Sequence, residues 1–185
     1  VSFFIVVLTY GMETTFFRFS QDEEKRENVF PTAFVSIGIS SIIFMLCMGA
    51  FAQPIANSIR YPNHPEYIII FSLILGLDAI ASIPFALLRQ QSRPVKFAIV
   101  KNINIFINII FNLYFLMLCP YMQRESNISL PFYNETIGVG YVFISNLAAS
   151  IVTLPLLFKE ILCIKKGFDI ALWRKMIAYG LPLLI

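Results

Sequence analysis

The sequence predicts an all-α integral membrane protein, a polytopic helix bundle. Three observations predict it. Of 185 residues, 58% are hydrophobic and 14% charged, where soluble domains hold about 45–50% apolar residues. The apolar residues come in five runs, at about 1–19, 29–58, 67–88, 97–119 and 137–158. As a helix rising about 1.5 Å per residue, a run of roughly 20 residues crosses the hydrocarbon core of a bilayer. Finally, Lys and Arg gather at or near the connections, in numbers that alternate from one connection to the next.

The first run is interrupted by Gly11 and Glu13, which predicts a kink near Gly11. A hydrophilic connection follows at 20–28, SQDEEKREN. Pro31 suits the first turn of the second helix, and no charge occurs from Val29 to Ile59. Ser36, Gly38, Ser40 and Ser41 make a small-residue region where a neighbouring helix can approach closely. RYPNHPE, at 60–66, is a turn with two prolines. The third helix carries Asp78 near its centre and Pro84 near its end. A basic turn at 89–96 then feeds the fourth helix, and a polar loop at 120–136 leads to the fifth.

Residues 159–175 mix bulky apolar residues with Lys159, Lys165, Lys166, Arg174 and Lys175, the composition of an amphipathic helix lying in the membrane interface. Gly167 is expected to break it, and Asp169 to cap a new helix running into a further membrane segment over 176–185. The sequence opens and closes inside apolar runs, at Val1 and Ile185, so it is expected to be an internal piece of a longer chain.

Connection by connection, Lys and Arg number three (Arg18, Lys25, Arg26), one (Arg60), four (Arg89, Arg93, Lys96, Lys101), one (Arg124) and five. Positively charged loops stay in the cytoplasm. Loops 20–28, 89–96 and 159–175 are therefore expected inside, and 60–66 and 120–136 outside. Two N-x-S/T tripeptides, at Asn127 and Asn134, fall in the outer loop and would be glycosylation acceptors in a secretory pathway.

The polar residues inside the runs point to function. Lys101, Asn104, Asn108 and Asn112 fall within about 80° of one another on a helical wheel, a polar stripe on a greasy helix. Lipid cannot satisfy such a stripe, so a protein interior or a water-filled cavity must. Asp78 lies roughly 15 Å, and Glu13 and Lys101 roughly 10 Å, from the expected cytoplasmic ends of their helices. The shared depth of Glu13 and Lys101 suggests that they face one cavity and interact, directly or through ligand or water. Lys101 reaching out to the interface, and the asparagines bonding between helices, are the plainer readings. Arg18, Arg89 and Arg93 sit at the cytoplasmic boundary, where they signal topology or attract phosphate. No P-loop, GxSxG, HExxH or nucleic-acid-binding pattern occurs, and the lone His64 and scattered Cys47, Cys119 and Cys163 make no metal set. An enzyme, a cofactor and a nucleic-acid partner are not expected.

YGMETTFFRFS (10–20), IPFALLRQQSRPVKFAIVKNINIFINIIFNL (83–113) and YGLPLLI (179–185) resemble the polysaccharide transporter branch of the multidrug/oligosaccharidyl-lipid/polysaccharide exporter superfamily. The resemblance implies a two-lobed, 12–14-helix transporter, of which 1–158 would be first-lobe helices, 159–175 the link between lobes and 176–185 the start of the next helix. It implies a flippase for a polyprenyl-pyrophosphate-linked oligosaccharide, such as an O-antigen or capsule repeat unit, in the cell membrane. On this reading Lys101 and Arg18 would neutralise pyrophosphate and Asn104, Asn108 and Asn112 would bond sugar hydroxyls. Glu13 or Asp78 would couple the cycle to H+ or Na+, and Arg89 and Arg93 would contact phosphate at the boundary. Membrane lipids and glycan polymerases would be partners. A drug or cation antiporter of the same superfamily, a flippase for lipid-linked peptidoglycan precursors, and a membrane glycan polymerase or ligase are the alternatives.

Overall fold

The computed structural model describes residues 2–21, 26–59, 61–126, 137–162 and 167–184. Among them there is helix and no strand, as backbone that must satisfy its own hydrogen bonds in lipid requires. The protein is a membrane helix bundle. Among the described residues, three stretches are long and apolar enough to cross a bilayer: Glu27–Ala50, Pro65–Gln90 and Pro94–Gln123. Arg60, Asn127, Asn134, Cys163, Lys165 and Lys166 lie outside the described residues.

The first apolar run forms two short helices, α1 (Ser2–Thr9) and α2 (Met12–Phe19). Between them Tyr10 and Gly11 both have positive φ, 37° and 67°. Gly11 tolerates that conformation freely, whereas Tyr10 does not, so the break is held by its surroundings. The Tyr10 hydroxyl bonds Ser36 Oγ at 2.5 Å. A Cβ on Gly11 would also stand 2.8 Å from the Gly180 carbonyl oxygen. Ser36, Gly11 and Gly180 together fix the kink that the sequence places here.

α3 (Arg26–Ala50) begins earlier than expected, so Pro31 lies inside the helix rather than in its first turn. Phe51 breaks it before α4 (Ala52–Ser58). α5 (Pro65–Gln90) is the central element, with 56% of its most apolar window buried, against 22% in α3 and 11% in the Pro94–Gln123 stretch. Its close approach to α3 is made by Gly76, where a Cβ would meet Met45 Sδ at 2.6 Å. Gly38, in the small-residue region expected to serve that purpose, has nothing close to its Cβ position.

α6 (Pro94–Leu113) has proline in its first turn and runs through a π-turn, Tyr114–Leu118, into α7 (Cys119–Ser126). Pro120 accounts for the widened turn: it has no N–H for the α-ladder, and the preceding Cys119 N–H reaches back to the Tyr114 carbonyl. α8 (Gly140–Leu156) ends just after Pro155 and leads through Leu157 to a single turn, α9 (Phe158–Ile161). Glu160 of that turn is buried and takes Lys96 Nζ at 2.5 Å, so the segment at 158–161 is tied to the start of α6 rather than lying free in an interface.

α10 (Ile170–Gly180) starts within the stretch expected to be a linker. Its cap is Asp169, whose carboxylate accepts from the Ala171 and Leu172 N–H groups at 2.9 and 3.1 Å. It buries Leu172, Met176 and Gly180. Met176 shares a core with Met12 and Phe16 of α2, Val29 and Ile37 of α3, and Ile83 of α5.

Candidate functional site

The faces of α2 divide its residues by role. Met12 and Phe16, four apart, point into the core. Gly11 and Arg18, seven apart, meet α10: the Arg18 guanidinium lies 5.3 Å from the Tyr179 ring centre, and Gly11 touches Gly180. Glu13 and Phe17, again four apart, turn toward Arg89 near the end of α5. Glu13 forms an ion pair with Arg89. The guanidinium also lies over the Phe17 ring at 5.4 Å and over the Phe97 ring of α6 at 5.6 Å.

Glu13, Arg89 and Phe97 line one wall of a cavity of about 330 Å³ among α1, α2, α5, α6 and α8, within the range of small ligand clefts. Glu13, Asp78, Ser82, Arg89, Lys101, Asn104 and Thr153 are its polar lining, and Phe85 and Phe97 its aromatic surfaces. Two carboxylates thus face two cations. A cavity of about 670 Å³ at the opposite end of α5 is larger, but is walled mostly by Phe4, Met48, Ile55, Phe71, Val139 and Phe143. The smaller, charged cavity is the candidate site.

Inside it the charges are not paired as depth alone suggests. Glu13 and Lys101 do share the cavity, but Glu13 takes Arg89 as its direct partner. Arg89 reaches it because that side chain returns from the helix end along the aromatic rings. Lys101 Nζ lies 4.6 Å from the Phe85 ring centre, and among the described residues no carboxylate is in ion-pair contact with it. Asp78 accepts a hydrogen bond from Ser150 Oγ at 2.8 Å.

The asparagine ladder divides. The Asn104 amide donates to Thr153 Oγ1 at 2.8 Å, on the cavity wall. One turn on, Asn108 donates to Asn146 Oδ1 at 2.5 Å, and Asn112 bonds the Asn108 side chain at 2.6 Å and its carbonyl at 2.9 Å. Asn108 thus ties α6 to α8, whereas Asn112 bonds back to Asn108 within α6 and its buried Oδ1 has no partner among the described residues; neither is part of the lining. Arg18 is outside it too, because five residues along α2 carry it about 140° around from Glu13. Arg93 stands at the N-cap position of α6 without a side-chain capping bond, exposed and outside the lining.

Sequence reasoning missed the contribution of α8. Asn146, Ser150 and Thr153 follow i, i+4, i+7 spacing, the same wheel pattern that marks the α6 stripe. Each meets a polar group on a neighbouring helix: Asn108, Asp78 and Asn104 respectively.

A family model described as polysaccharide biosynthesis protein matches residues 1–124, two-thirds of the chain. The chain belongs to that family. In this polysaccharide biosynthesis protein the matched region supplies every charged residue of the cavity, from Glu13 to Lys101, while Thr153 lies beyond it. No curated protein and no solved structure matches the chain. The family gives it a role in making or exporting polysaccharide.

Proposed function

We propose that this protein is a flippase that carries a polyprenyl-pyrophosphate-linked oligosaccharide across the cytoplasmic membrane by alternating access, without catalysing a covalent step. The observation that carries the reading is Lys101, a lysine inside a membrane bundle, in a cavity and in contact with no carboxylate among the described residues. Asp78 of the same cavity acts on it through space and not by contact, which leaves its N–H donors open to a visiting anion; on this reading that anion is the phosphate of a lipid-linked glycan. Phosphate on Lys101 is a charge-assisted contact. The Asn104 amide, bonded to Thr153, keeps a second N–H and its carbonyl oxygen for glycan hydroxyls, and Thr153, whose own proton goes to the Ala149 carbonyl, keeps a lone pair.

In this scheme the Gln90 end of the bundle faces the cytoplasm, as the Lys and Arg distribution requires. Asp78, with its Ser150 hydrogen bond, is the candidate for coupling to H+ or Na+. The first-lobe helices would rock against a second lobe about the cavity. Membrane lipid and the polymerase that consumes the flipped repeat unit are the expected partners.

The test is complementation. The full-length gene is placed in a bacterial strain that lacks its glycan flippase and carries the matching glycan pathway. Surface polysaccharide and the cytoplasmic pool of lipid-linked repeat units are scored. Restored surface glycan, lost on Lys101→Ala with the repeat unit accumulating inside, supports the reading; surface glycan that survives Lys101→Ala removes its central residue.

One feature favours a second reading. Glu13 and Asp78 beside Phe85 and Phe97 are the acidic and aromatic residues that a drug or cation antiporter uses. Resistance to cationic drugs without glycan export, in the same strain, would establish that function instead.

A further inference from the structure

The flippase reading leaves Glu13 without a clear task, since its carboxylate repels the very headgroup the cavity would receive. Three observations give it one. Arg89, the second cation of the cavity, is occupied by Glu13. Lys101, the first, touches no carboxylate among the described residues. A diphosphate carries more negative charge than one lysine neutralises, and a planar guanidinium is the better phosphate partner, through two parallel N–H bonds. The group best suited to the second phosphate is therefore present but already held by a carboxylate of this chain.

The carboxylate is also carried by a short helix of its own. Glu13 and Phe17 both grip Arg89 from α2, an eight-residue helix that follows directly on the two positive-φ residues Tyr10 and Gly11. Tyr10 shares the hydroxyl of Ser36 with Trp173 of α10, whose indole Nε1 donates to it at 2.7 Å. A change in how α2 sits is thus passed to Trp173 through Tyr10 and Ser36.

We infer that Glu13 is a tethered stand-in for the substrate's diphosphate: it holds Arg89 in the empty cavity, and a diphosphate docking on Lys101 takes Arg89 from it, which loosens the grip of Glu13 and Phe17 of α2 on α5. The inference rests on the flippase reading, because it needs a diphosphate to enter this cavity. It turns the charge of Glu13 from an obstacle into a device that keeps the site closed until a ligand with enough charge arrives. A monophosphate, satisfied by Lys101 alone, would leave the Glu13–Arg89 pair in place.

The experiment measures binding of geranylgeranyl diphosphate and, in parallel, geranylgeranyl monophosphate and inorganic pyrophosphate to the protein in lipid nanodiscs. Glu13→Gln, nearly isosteric, is expected to tighten diphosphate binding about tenfold by removing one charge-assisted competitor. The monophosphate should bind the wild type and this variant equally. Arg89→Gln should weaken the diphosphate, and the double variant should match Arg89→Gln alone. The fluorescence of Trp173, the sole tryptophan of the chain, gives a second readout. Diphosphate should shift it in the wild type, and Glu13→Gln should show the shifted emission without ligand.

Unchanged or weaker diphosphate binding in Glu13→Gln, with Arg89→Gln still impaired, overturns the inference while leaving the flippase reading intact. Failure of the wild type and Glu13→Gln alike to bind any diphosphate overturns both. If inorganic pyrophosphate alone reproduces the whole Glu13-dependent gain, the competition stands and the lipid-linked substrate falls.

Discussion

The polar stripe of α6 is one feature in sequence and two in structure. Its lower half, Lys101 and Asn104, opens on a charged cavity. Its upper half, Asn108 with Asn112 bonded back to it, is tied to α8 through Asn146. The difference comes from the partner helix. Opposite Asn108, α8 presents an amide of matching reach, which occupies the Asn108 side chain. Near Lys101 the neighbouring walls are aromatic rings and charges from other helices, which leave space. A polar face thus marks where a membrane helix cannot meet lipid, while the facing residues decide whether it glues or binds.

The largest expected effect that tests this division is at Lys101. Lys101→Ala removes a charge-assisted phosphate contact worth about 1.5–3 kcal/mol, which is about 10- to 100-fold in transport. It should leave thermal stability in detergent nearly unchanged, since among the described residues Lys101 has one direct contact, the Phe85 ring, and acts on Asp78 only through space. A variant that melts early would mean that the lysine is structural after all. Asn104 stands on the border between the halves. Asn104→Ala should lower transport by several-fold and also lower stability, because Thr153 loses its partner; an average interhelical hydrogen bond in membranes is worth about 0.6 kcal/mol. The transport assay and the melting curve, taken on one preparation, separate the two losses.

Much of the fold was legible because lipid imposes a simple length rule. The kink at Gly11, the cap at Asp169 and the long apolar stretches of α3, α5 and α6 all follow from composition and local chemistry. The helix–helix contacts did not. Gly76 rather than Gly38 makes the close approach to α3, because the choice depends on which side of the helix a neighbour occupies, and residue size alone carries no such information. The site was legible as a set of polar residues at similar depth. Its pairing was not: depth put Glu13 level with Lys101, but a flexible Arg89 side chain returning along Phe17 and Phe97 claimed the carboxylate first. The α8 residues were readable by the wheel test that found the α6 stripe. Hydroxyls at Ser150 and Thr153 drew less notice than amides, because serine and threonine are ordinary in membrane helices.

The upper half of the stripe offers a sharper trial of the glue reading. Asn108→Ala alone leaves Asn146 and Asn112 short of a partner and should cost about 1 kcal/mol, with a loss of up to about 1.7 kcal/mol within the measured range. Replacing Asn108 and Asn146 together by leucine removes both polar partners, and such paired replacement is close to neutral. The double variant should therefore melt near the wild type and still transport. Loss of transport in a double variant of normal stability would put Asn108 back in the substrate path.

The smallest effect is expected at Arg18. By charge and motif it looks like a companion of Lys101. On α2 it faces the other way, over Tyr179, with its head group exposed. Arg18→Gln removes one exposed cation–π contact of about 0.5–1 kcal/mol and no cavity charge. Transport should change by less than about twofold, while Lys101→Ala in the same assay gives the full loss. A large transport defect in Arg18→Gln, at unchanged protein level, would mean that α2 rotates during the cycle and brings Arg18 into the cavity. In that case the face that now meets α10 would become a binding face in the other state, and Glu13 and Arg18 would take turns at the site.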